Sequence, residues 1–191
     1  MVEFLQTVTE ITVEMFDADA AGLMRADQLG ALQVMAASSP EVLPLELFEL
    51  QHAEGPCLEC FTRGQAVVNV DPDQAEALWP AFGKAVRTAS FASVHAIPLR
   101  LRDDVIGSMN IFLARPGTLT EPDVALGQVI ADIATISLLQ DRALQEKQLL
   151  AEQFQGALNS RVVIEQAKGM LAERHGVATD VAFQHAPHAR P

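Results

Sequence analysis

The chain of 191 residues lacks most features of secreted and membrane proteins. Its two cysteines, Cys57 and Cys60, are too few and too close in sequence to cross-link a domain, which agrees with a reducing compartment. No stretch approaches the ~20 consecutive apolar residues of a membrane span. The N-terminus MVEFLQTVTE lacks the basic start and apolar run of a secretory signal. We therefore expect a cytoplasmic protein with no membrane partner.

Basic residues are also scarce, since 13 Lys and Arg oppose 25 Asp and Glu for a formal net charge of −12. A general nucleic-acid-binding surface needs clustered Lys and Arg to neutralise phosphates, so the balance argues against one over most of the chain. The distribution is uneven, because the segment from Arg161 onward holds four basic and three acidic residues. Any contact with a nucleic acid is therefore expected in this C-terminal segment.

Residue patterns typical of catalysis are missing as well. We find no phosphate-binding loop, no Ser/His/Asp order and no paired-carboxylate signature, and predict neither an enzyme nor a bound cofactor. The single C-x-x-C of Cys57 and Cys60 lacks the second ligand pair of a structural zinc site, so no metal is predicted. These cysteines begin a predicted short helix, where the helix dipole lowers a thiol pKa, so a redox switch is one alternative. The simpler interpretation is two small buried side chains.

What the chain does contain is 49% hydrophobic residues, enough to bury a core. Apolar residues at three- and four-residue spacing predict helices over 2–16, from Ser38 toward Gln51, around Cys57 as far as Gly64, and over 71–86 with a bend near Pro80. A capped long helix begins at Thr120 and continues at least to Gly156.

Strands alternate with these helices. They are predicted over 20–26, 31–37 and 65–70, and as a hairpin over 90–114 that turns at residues 102–104. Pro98 cannot donate to a ladder, so its strand should lie at an edge, contain a bulge, or turn the proline outward. On the same strand, Phe91, His95, Ile97 and Leu99 are expected on one face. This order predicts an α+β fold with helices packed on an antiparallel sheet.

Three segments within this order resemble a GAF domain over residues 2–140. They are EGPCLE at 54–59, TRGQAVVNVD at 62–71 and PLRLRDDVIGSMNIFL at 98–113. The resemblance implies a regulatory sensor with a central antiparallel sheet flanked by helices and a pocket for an unknown small-molecule ligand. Candidate pocket residues are Trp79, Phe82, Phe91, His95, Ile97, Met109 and Ile111. Some GAF proteins are free methionine sulfoxide reductases, but two cysteines three residues apart do not match their cysteine arrangement.

A seven-residue repeat follows the sensor segment. We predict a coiled-coil linker over 141–158 and a homodimer, because apolar side chains at this period form a helix-pairing seam. The seam candidates are Ala143, Leu150, Phe154, Ala157, Ile164 and Leu171.

The stretch NSRVVIEQAKGMLAERHG at 159–176 resembles the first helix of the ANTAR domain, through Arg161, Ile164, Gln166, Ala167, Lys168, Gly169 and Leu171. That family is an RNA-binding module, so the resemblance implies control of transcription antitermination through an RNA hairpin. Arg161, Lys168 and Arg174 are the RNA-binding candidates, and a solvated coiled-coil face is the alternative interpretation.

The ANTAR resemblance is incomplete, covering 159–183 and thinning after Val177. Residues 184–191, with two prolines and no apolar periodicity, are expected to be disordered. We therefore expect an incomplete helical ANTAR module with impaired RNA affinity. The alternatives are a dimeric ligand sensor without a nucleic-acid role, or a thiol redox sensor through Cys57 and Cys60.

Overall fold

The computed structural model describes residues 2–175, except for the side chains of Val2, Leu171 and His175. It divides into two compact units, Met1–Asp141 and Arg142–Pro191. Three predictions concern parts of the chain outside the described residues: the seam side chain of Leu171, the last part of the ANTAR resemblance, and the disordered segment 184–191.

Eleven elements are present in the described residues, and most occupy the predicted segments. They are α1 (Val2–Phe16), β1 (Ala20–Ala26), β2 (Leu32–Ala37), α2 (Leu43–His52), α3 (Pro56–Arg63), β3 (Val67–Val70), α4 (Pro72–Leu78), α5 (Pro80–Thr88), β4 (Ser93–Leu101), β5 (Asp104–Leu113) and α6 (Glu121–His175). The five strands form one antiparallel sheet of order β2-β1-β5-β4-β3. The predicted α+β class is confirmed.

Each face of the sheet is covered by its own set of helices. Side chains alternate along β4 and β5, so that Ile97 and Met109, paired in the register, face one side. This side packs on α1 and on the first part of α6, through residues such as Leu5, Ile130 and Leu138. The other side carries Phe112 and packs on α2, α4 and α5. A ligand pocket on either face of the sheet must therefore lie between the sheet and the helices that cover that face.

The first part of α2 differs from prediction. Ser38 was expected to begin this helix, but its Oγ accepts a hydrogen bond from the Ala21 N–H and its own N–H donates to the Ala21 carbonyl, both at 2.8 Å. Ser38 thus extends the pairing of β1 and β2, and α2 begins at Leu43 with Pro44 in its first turn.

The proline predictions hold. Trp79, with φ −136° and ψ 83°, separates α4 from α5 directly before Pro80. Pro98 lies in β4 beyond the last residue paired with β3, and its carbonyl accepts a hydrogen bond from Gln128 Nε2 at 3.1 Å. The backbone N–H and C=O of one strand residue point toward the same side of the strand, and at Pro98 this side faces Gln128 of α6. The missing N–H of Pro98 therefore removes no hydrogen bond from the sheet.

The long helix α6 begins as predicted. Asp123 Oδ2 accepts from the backbone N–H and the hydroxyl of Thr120, at 2.8 and 2.7 Å, in a reciprocal cap. No break interrupts the helix before His175. Residues Ile130, Ala131, Ala134 and Leu138 of its first part are buried in the core of the first unit.

The helix α6 is also apolar over a long stretch. One 18-residue window has a mean hydropathy of 1.4, so the helix meets the length and composition criteria for a membrane span, and 28% of the window is buried within the protein. A core helix of a water-soluble domain passes the same criteria. Because part of this helix packs against the sheet, no membrane is evident.

Candidate functional site

A group of buried polar side chains lies between the sheet and the helices α2 and α3. Glu46 and Glu49 come from α2 and Asn110 from β5, and all three are inaccessible to solvent at 0% exposure. We call these three residues the carboxyl site. Ser108 and Cys57 are buried beside it. Buried acidic residues without a basic partner are rare in folded proteins, so this group is a candidate functional site.

Two glycines make room for the two carboxyl groups. A side chain on Gly22, in β1, would collide with the Glu46 carboxyl, and one on Gly55, before α3, would collide with that of Glu49. Gly55 also has φ +145°, a conformation that favours glycine. Since Glu46 and Glu49 are three residues apart on one helix, they share the side facing the sheet and α3. The backbone is thus shaped around both acids.

The hydrogen bonds of the carboxyl site use two of its five side-chain oxygen atoms. Glu49 Oε1 accepts from the backbone N–H groups of Cys57 and Leu58, at 2.7 and 3.3 Å, which caps the start of α3. Glu46 Oε1 accepts from Asn110 Nδ2 at 3.4 Å. Among residues 2–175, Glu46 Oε2, Glu49 Oε2 and Asn110 Oδ1 are buried with no partner. Three of the five side-chain oxygens are thus buried without a partner among the described residues.

Burial also changes the protonation of both acids. It raises the pKa of Glu46 to about 8, although the hydrogen bond from Asn110 opposes the shift. Burial likewise raises the pKa of Glu49 well above its ordinary value; the Cys57 and Leu58 amides act against that rise and the nearby Glu46 adds to it. Burial thus favours the protonated, uncharged form of both carboxyl groups.

Two family comparisons identify the chain. Residues 1–138 match the model of the GAF domain, described as GAF_2, and residues 152–185 match the ANTAR domain. The chain belongs to the GAF domain family. The predicted architecture of a GAF domain followed by an ANTAR domain is confirmed, although residues 176–185 of the ANTAR match lie beyond the described part. Both are regulatory domains. No curated protein sequence matches the chain significantly.

Solved structures show the same fold at low sequence identity. The GAF domain of a phosphoenolpyruvate-protein phosphotransferase from Coxiella burnetii is 18% identical with a TM-score of 0.61, over 76% of this chain and 86% of that one. The blue-light-absorbing PixJ GAF domain of Thermosynechococcus elongatus is 14% identical with a TM-score of 0.58, over 80% and 92%. A type II free methionine-R-sulfoxide reductase from Thermoplasma acidophilum is 18% identical with a TM-score of 0.54, over 70% and 88%.

The predicted pocket residues of this GAF domain do not line one cavity. His95, Ile97, Met109 and Ile111 face α1 and α6, whereas Trp79, Phe82 and Phe91 pack on the opposite side of the sheet. The expected face for Phe91 was wrong, because Phe91 precedes β4 and follows a turn at Ser90 with φ +63°. Its ring instead lies 5.1 Å from that of Phe112.

His95 has both ring nitrogens engaged within the protein. Its Nδ1 accepts from the Asn69 N–H at 2.9 Å, and its Nε2 lies 3.1 Å from Ser93 Oγ. Burial lowers its pKa to about 4, so the ring is neutral at physiological pH. His95 is therefore a core histidine within a hydrogen-bond chain.

The cysteines of the GAF domain are buried thiols. Cys57 Sγ donates to Met24 Sδ at 3.3 Å. Burial raises the pKa of Cys57 well above its usual value and that of Cys60 to about 12, with Glu49 adding to both shifts. The expected lowering of the thiol pKa at the helix start was wrong, because Glu49 occupies the first amides of α3 and both thiols are desolvated.

The second unit places the RNA-binding and seam candidates on one helix. Arg161 and Arg174 are exposed, while Lys168 pairs with Glu165 at 2.8 Å. Ala143, Leu150, Phe154, Ala157 and Ile164 are all exposed in the single chain. Within 142–175, the predicted surfaces are thus available to partners.

Sequence reasoning missed the carboxyl site. A signal was present in LPLELFELQH, where Glu46 and Glu49 sit three residues apart in a helix otherwise rich in leucine. Gly22, inside a predicted strand, was a second signal of close approach. Neither pattern reveals by itself which side of the helix faces the sheet.

Proposed function

We propose that this chain is a signal-responsive regulator of transcription antitermination, in which the GAF domain senses a small ligand and the ANTAR segment binds RNA hairpins as a dimer. The observation that carries the proposal is the succession of a GAF match over 1–138 and an ANTAR match over 152–185 in one chain. A sensory domain followed by an RNA-binding module couples a signal to transcript elongation.

The input of this regulator is the GAF domain, which binds the small ligand. The helices α2 and α3, which hold the carboxyl site, pack on the same sheet as α6, so the sheet is the element that both contact.

The output of the regulator is the helix over 142–175. Arg161 and Arg174 are exposed and can approach phosphates. Large apolar side chains on the same helix are also exposed, including Leu150 at 52%, Phe154 at 64% and Ile164 at 48%. Such a surface favours pairing with a second helix, and a homodimer would cover it while presenting two sets of basic side chains.

An electrophoretic mobility shift with the full chain tests the proposal. RNA carrying paired hairpins is compared, at physiological salt, with unpaired RNA of the same composition. The proposal expects a shift for the hairpins only, and weaker binding by the Arg161→Ala variant. Arg142→Ala is the matched control, since Arg142 is an exposed arginine of the same helix paired with Glu146 at 2.9 Å.

A dimeric ligand sensor without an RNA role is the second candidate. The net charge of −12 and the exposed apolar residues of 142–175 favour it. Light scattering together with the mobility shift separates the two: a dimer that binds no hairpin RNA supports the second candidate and overturns the first. The thiol redox alternative has less support, because both cysteines are buried and protonated.

A further inference from the structure

Six large apolar side chains on the outer sides of two helices are exposed to solvent. Three belong to α1 and three to the part of α6 that packs on the sheet, and each is between 37% and 55% exposed. We call these residues the outer apolar face: Phe4, Ile11, Met15, Val129, Ile133 and Ile136. All six lie within the first compact unit. Exposed apolar side chains grouped in this way indicate a surface that binds another molecule.

The two helices lie side by side on one face of the sheet. Both contribute to the same core cluster, for example through Leu5 of α1 and Ile130 of α6. A methyl group added at Gly127, near the start of α6, would lie 3.4 Å from the ring tip of Phe16, the last residue of α1. The end of α1 therefore adjoins the beginning of α6, so the two helices can present one surface.

The exposed apolar residues of α1 lie on the flank that faces α6. Gln6 lies on the other flank, where it lines a groove beside the edge strand β2. Since a helix turns by about 100° per residue, Phe4, Ile11 and Met15 lie roughly opposite Gln6. The three residues of α6 lie opposite its own buried stripe and point away from the sheet. The outer apolar face is therefore continuous across both helices.

The α6 residues of this face continue the seven-residue repeat of the second unit. Val129 and Ile136 precede the predicted seam residue Ala143 by fourteen and seven residues, and Ile133 precedes Phe154 by twenty-one. A partner helix that runs parallel to α6 would therefore meet the predicted seam and the outer apolar face in one register. A second copy of α6 is such a helix, because it carries the same repeat.

The first unit provides the more apolar part of this register. Lys147 and Arg161 of the second unit lie four residues after the seam positions Ala143 and Ala157. In a parallel pair each of these cations would meet the same cation of the other copy, which weakens the pairing there. The corresponding position in the first unit is Ile133, which is apolar.

The charge around the outer apolar face argues against a lipid surface or a nucleic acid as the partner. Residues 2–16 and 121–141 contain several acidic residues but no lysine or arginine. Helices that lie on membranes, and surfaces that bind nucleic acids, use Lys and Arg to meet anionic groups.

The size of the outer apolar face suits a dimer. Six large side chains, each about half exposed, present on the order of 500 Å² of surface in one chain. Two such faces would bury on the order of 1,000 Å² together, which reaches the lower limit of a specific protein interface.

We propose that the outer apolar face binds the same face of a second copy of this chain, with the two α6 helices running in parallel. The GAF domain itself then holds the dimer together, and the domain that senses the ligand contacts its own copy. This inference deepens the proposed function, on which it rests, by naming the surface that joins the two copies.

Sedimentation velocity of the full chain over a series of concentrations tests the proposal. We expect a dimer whose dissociation constant rises about 100-fold in Ile133→Glu, because the interface would bury an unpaired carboxylate. Leu29→Glu, at a residue 94% exposed in the turn between β1 and β2, is the matched control and should leave the constant unchanged. Leu150→Glu, on the seam of the second unit, should raise it less than Ile133→Glu does.

A charge swap separates loss of pairing from loss of folding. Ile133→Lys should dissociate in the same way as Ile133→Glu, whereas an equimolar mixture of the two variants should form a one-to-one dimer, since opposite charges then meet in the parallel pair. Circular dichroism checks the folding of each variant. If the Ile133 variants do not fold, Met15→Glu, on the exposed side of α1, takes their place.

The proposal is overturned if the unaltered chain is monomeric at every concentration, if a folded Ile133→Glu chain dimerises unchanged, or if the two charge variants do not associate. A monomeric chain that sediments with phosphatidylcholine vesicles would assign the face to a lipid surface instead. The RNA mobility shift distinguishes the two proposals. A chain that dimerises through this face but binds no hairpin overturns the proposed function alone, whereas hairpin binding together with an unchanged dimer in Ile133→Glu overturns this inference alone.

Discussion

The side-chain amide of Asn69 holds the backbone of Leu119 by two hydrogen bonds. Its Oδ1 accepts from the Leu119 N–H at 2.7 Å, and its Nδ2 donates to the Leu119 carbonyl at 3.1 Å. Leu119 lies two residues before α6, and Asn69 has φ +61° beside the β3 bulge. The Asn69 N–H also donates to His95, so one residue links β4 to the start of the long helix.

Replacing Asn69 tests this link. Asn69→Ala removes both side-chain bonds, which should lower the free energy of unfolding by about 1 to 3 kcal/mol, and leaves alanine in a left-handed conformation that costs about 1 kcal/mol more. Asn69→Gly loses the same bonds without that strain and should be the milder variant in urea unfolding. Equal stability of both variants and the unaltered chain would contradict the link.

Gly22→Ala should be among the most damaging small substitutions. The new methyl group collides with the Glu46 carboxyl inside a closed interior, so we expect a loss of about 2 to 4 kcal/mol in the free energy of unfolding. Adding Glu46→Ala removes the carboxyl and should recover part of the loss. Gly156→Ala, where a methyl meets nothing within 4 Å, should be neutral or stabilising. Additive effects of the first two changes would show that they do not touch.

Stability should fall as pH rises from 6.5 to 8. The pKa of Glu46 is raised from 4.5 to about 8 in the folded chain, so the unfolded chain releases a proton that the folded chain keeps. Unfolding is then favoured by rising pH, by up to about 1.4 kcal/mol per pH unit for each such acid. His95, with its pKa lowered from 6.5 to about 4, acts in the opposite direction mainly below pH 6.5, and its remaining effect fades by about pH 7.5, where the unfolded histidine is almost fully deprotonated.

Urea unfolding at pH 6.5, 7.2 and 8.0 measures this dependence. Glu46→Gln cannot titrate and should flatten the slope, while Glu41→Gln, at an exposed position, should leave it unchanged. A slope that is the same in Glu46→Gln as in the unaltered chain would show that Glu46 is already ionised in the folded domain.

The cysteines should react slowly in the native chain. Because burial keeps Cys57 and Cys60 protonated, an aromatic disulfide reagent at pH 7.5 should modify them at least 100-fold more slowly than in urea. Fast native modification of either thiol would restore the redox interpretation.

Local signals predicted most of the fold. The Thr120 and Asp123 cap, the break at Pro80 and the turn after β4 each depend on a few neighbouring residues, and the structure confirms them. Ser38 was misassigned because a serine caps a helix or extends a strand pair equally well, and only the position of Ala21 decides between them.

The carboxyl site could not be predicted in the same way. Glu46 and Glu49 look like ordinary helix surface residues until the sheet is placed beside them, and burial depends on contacts with Gly22, Gly55 and Asn110 that are distant in sequence. The predicted pocket residues lie on two faces of the sheet for the same reason. The apolar character of residues such as Ile97 and Phe82 predicts that they are buried, but it does not predict which face of the sheet they lie on.

The most direct test of the account is the salt dependence of RNA binding, measured by fluorescence anisotropy of a labelled RNA hairpin with the full chain. The account predicts saturable binding to the hairpin over unpaired RNA, and a salt slope that becomes shallower by about 0.7 to 0.9 in Arg161→Ala but not in Arg142→Ala. No saturable binding, or equal binding of hairpin and unpaired RNA, would contradict a role in antitermination.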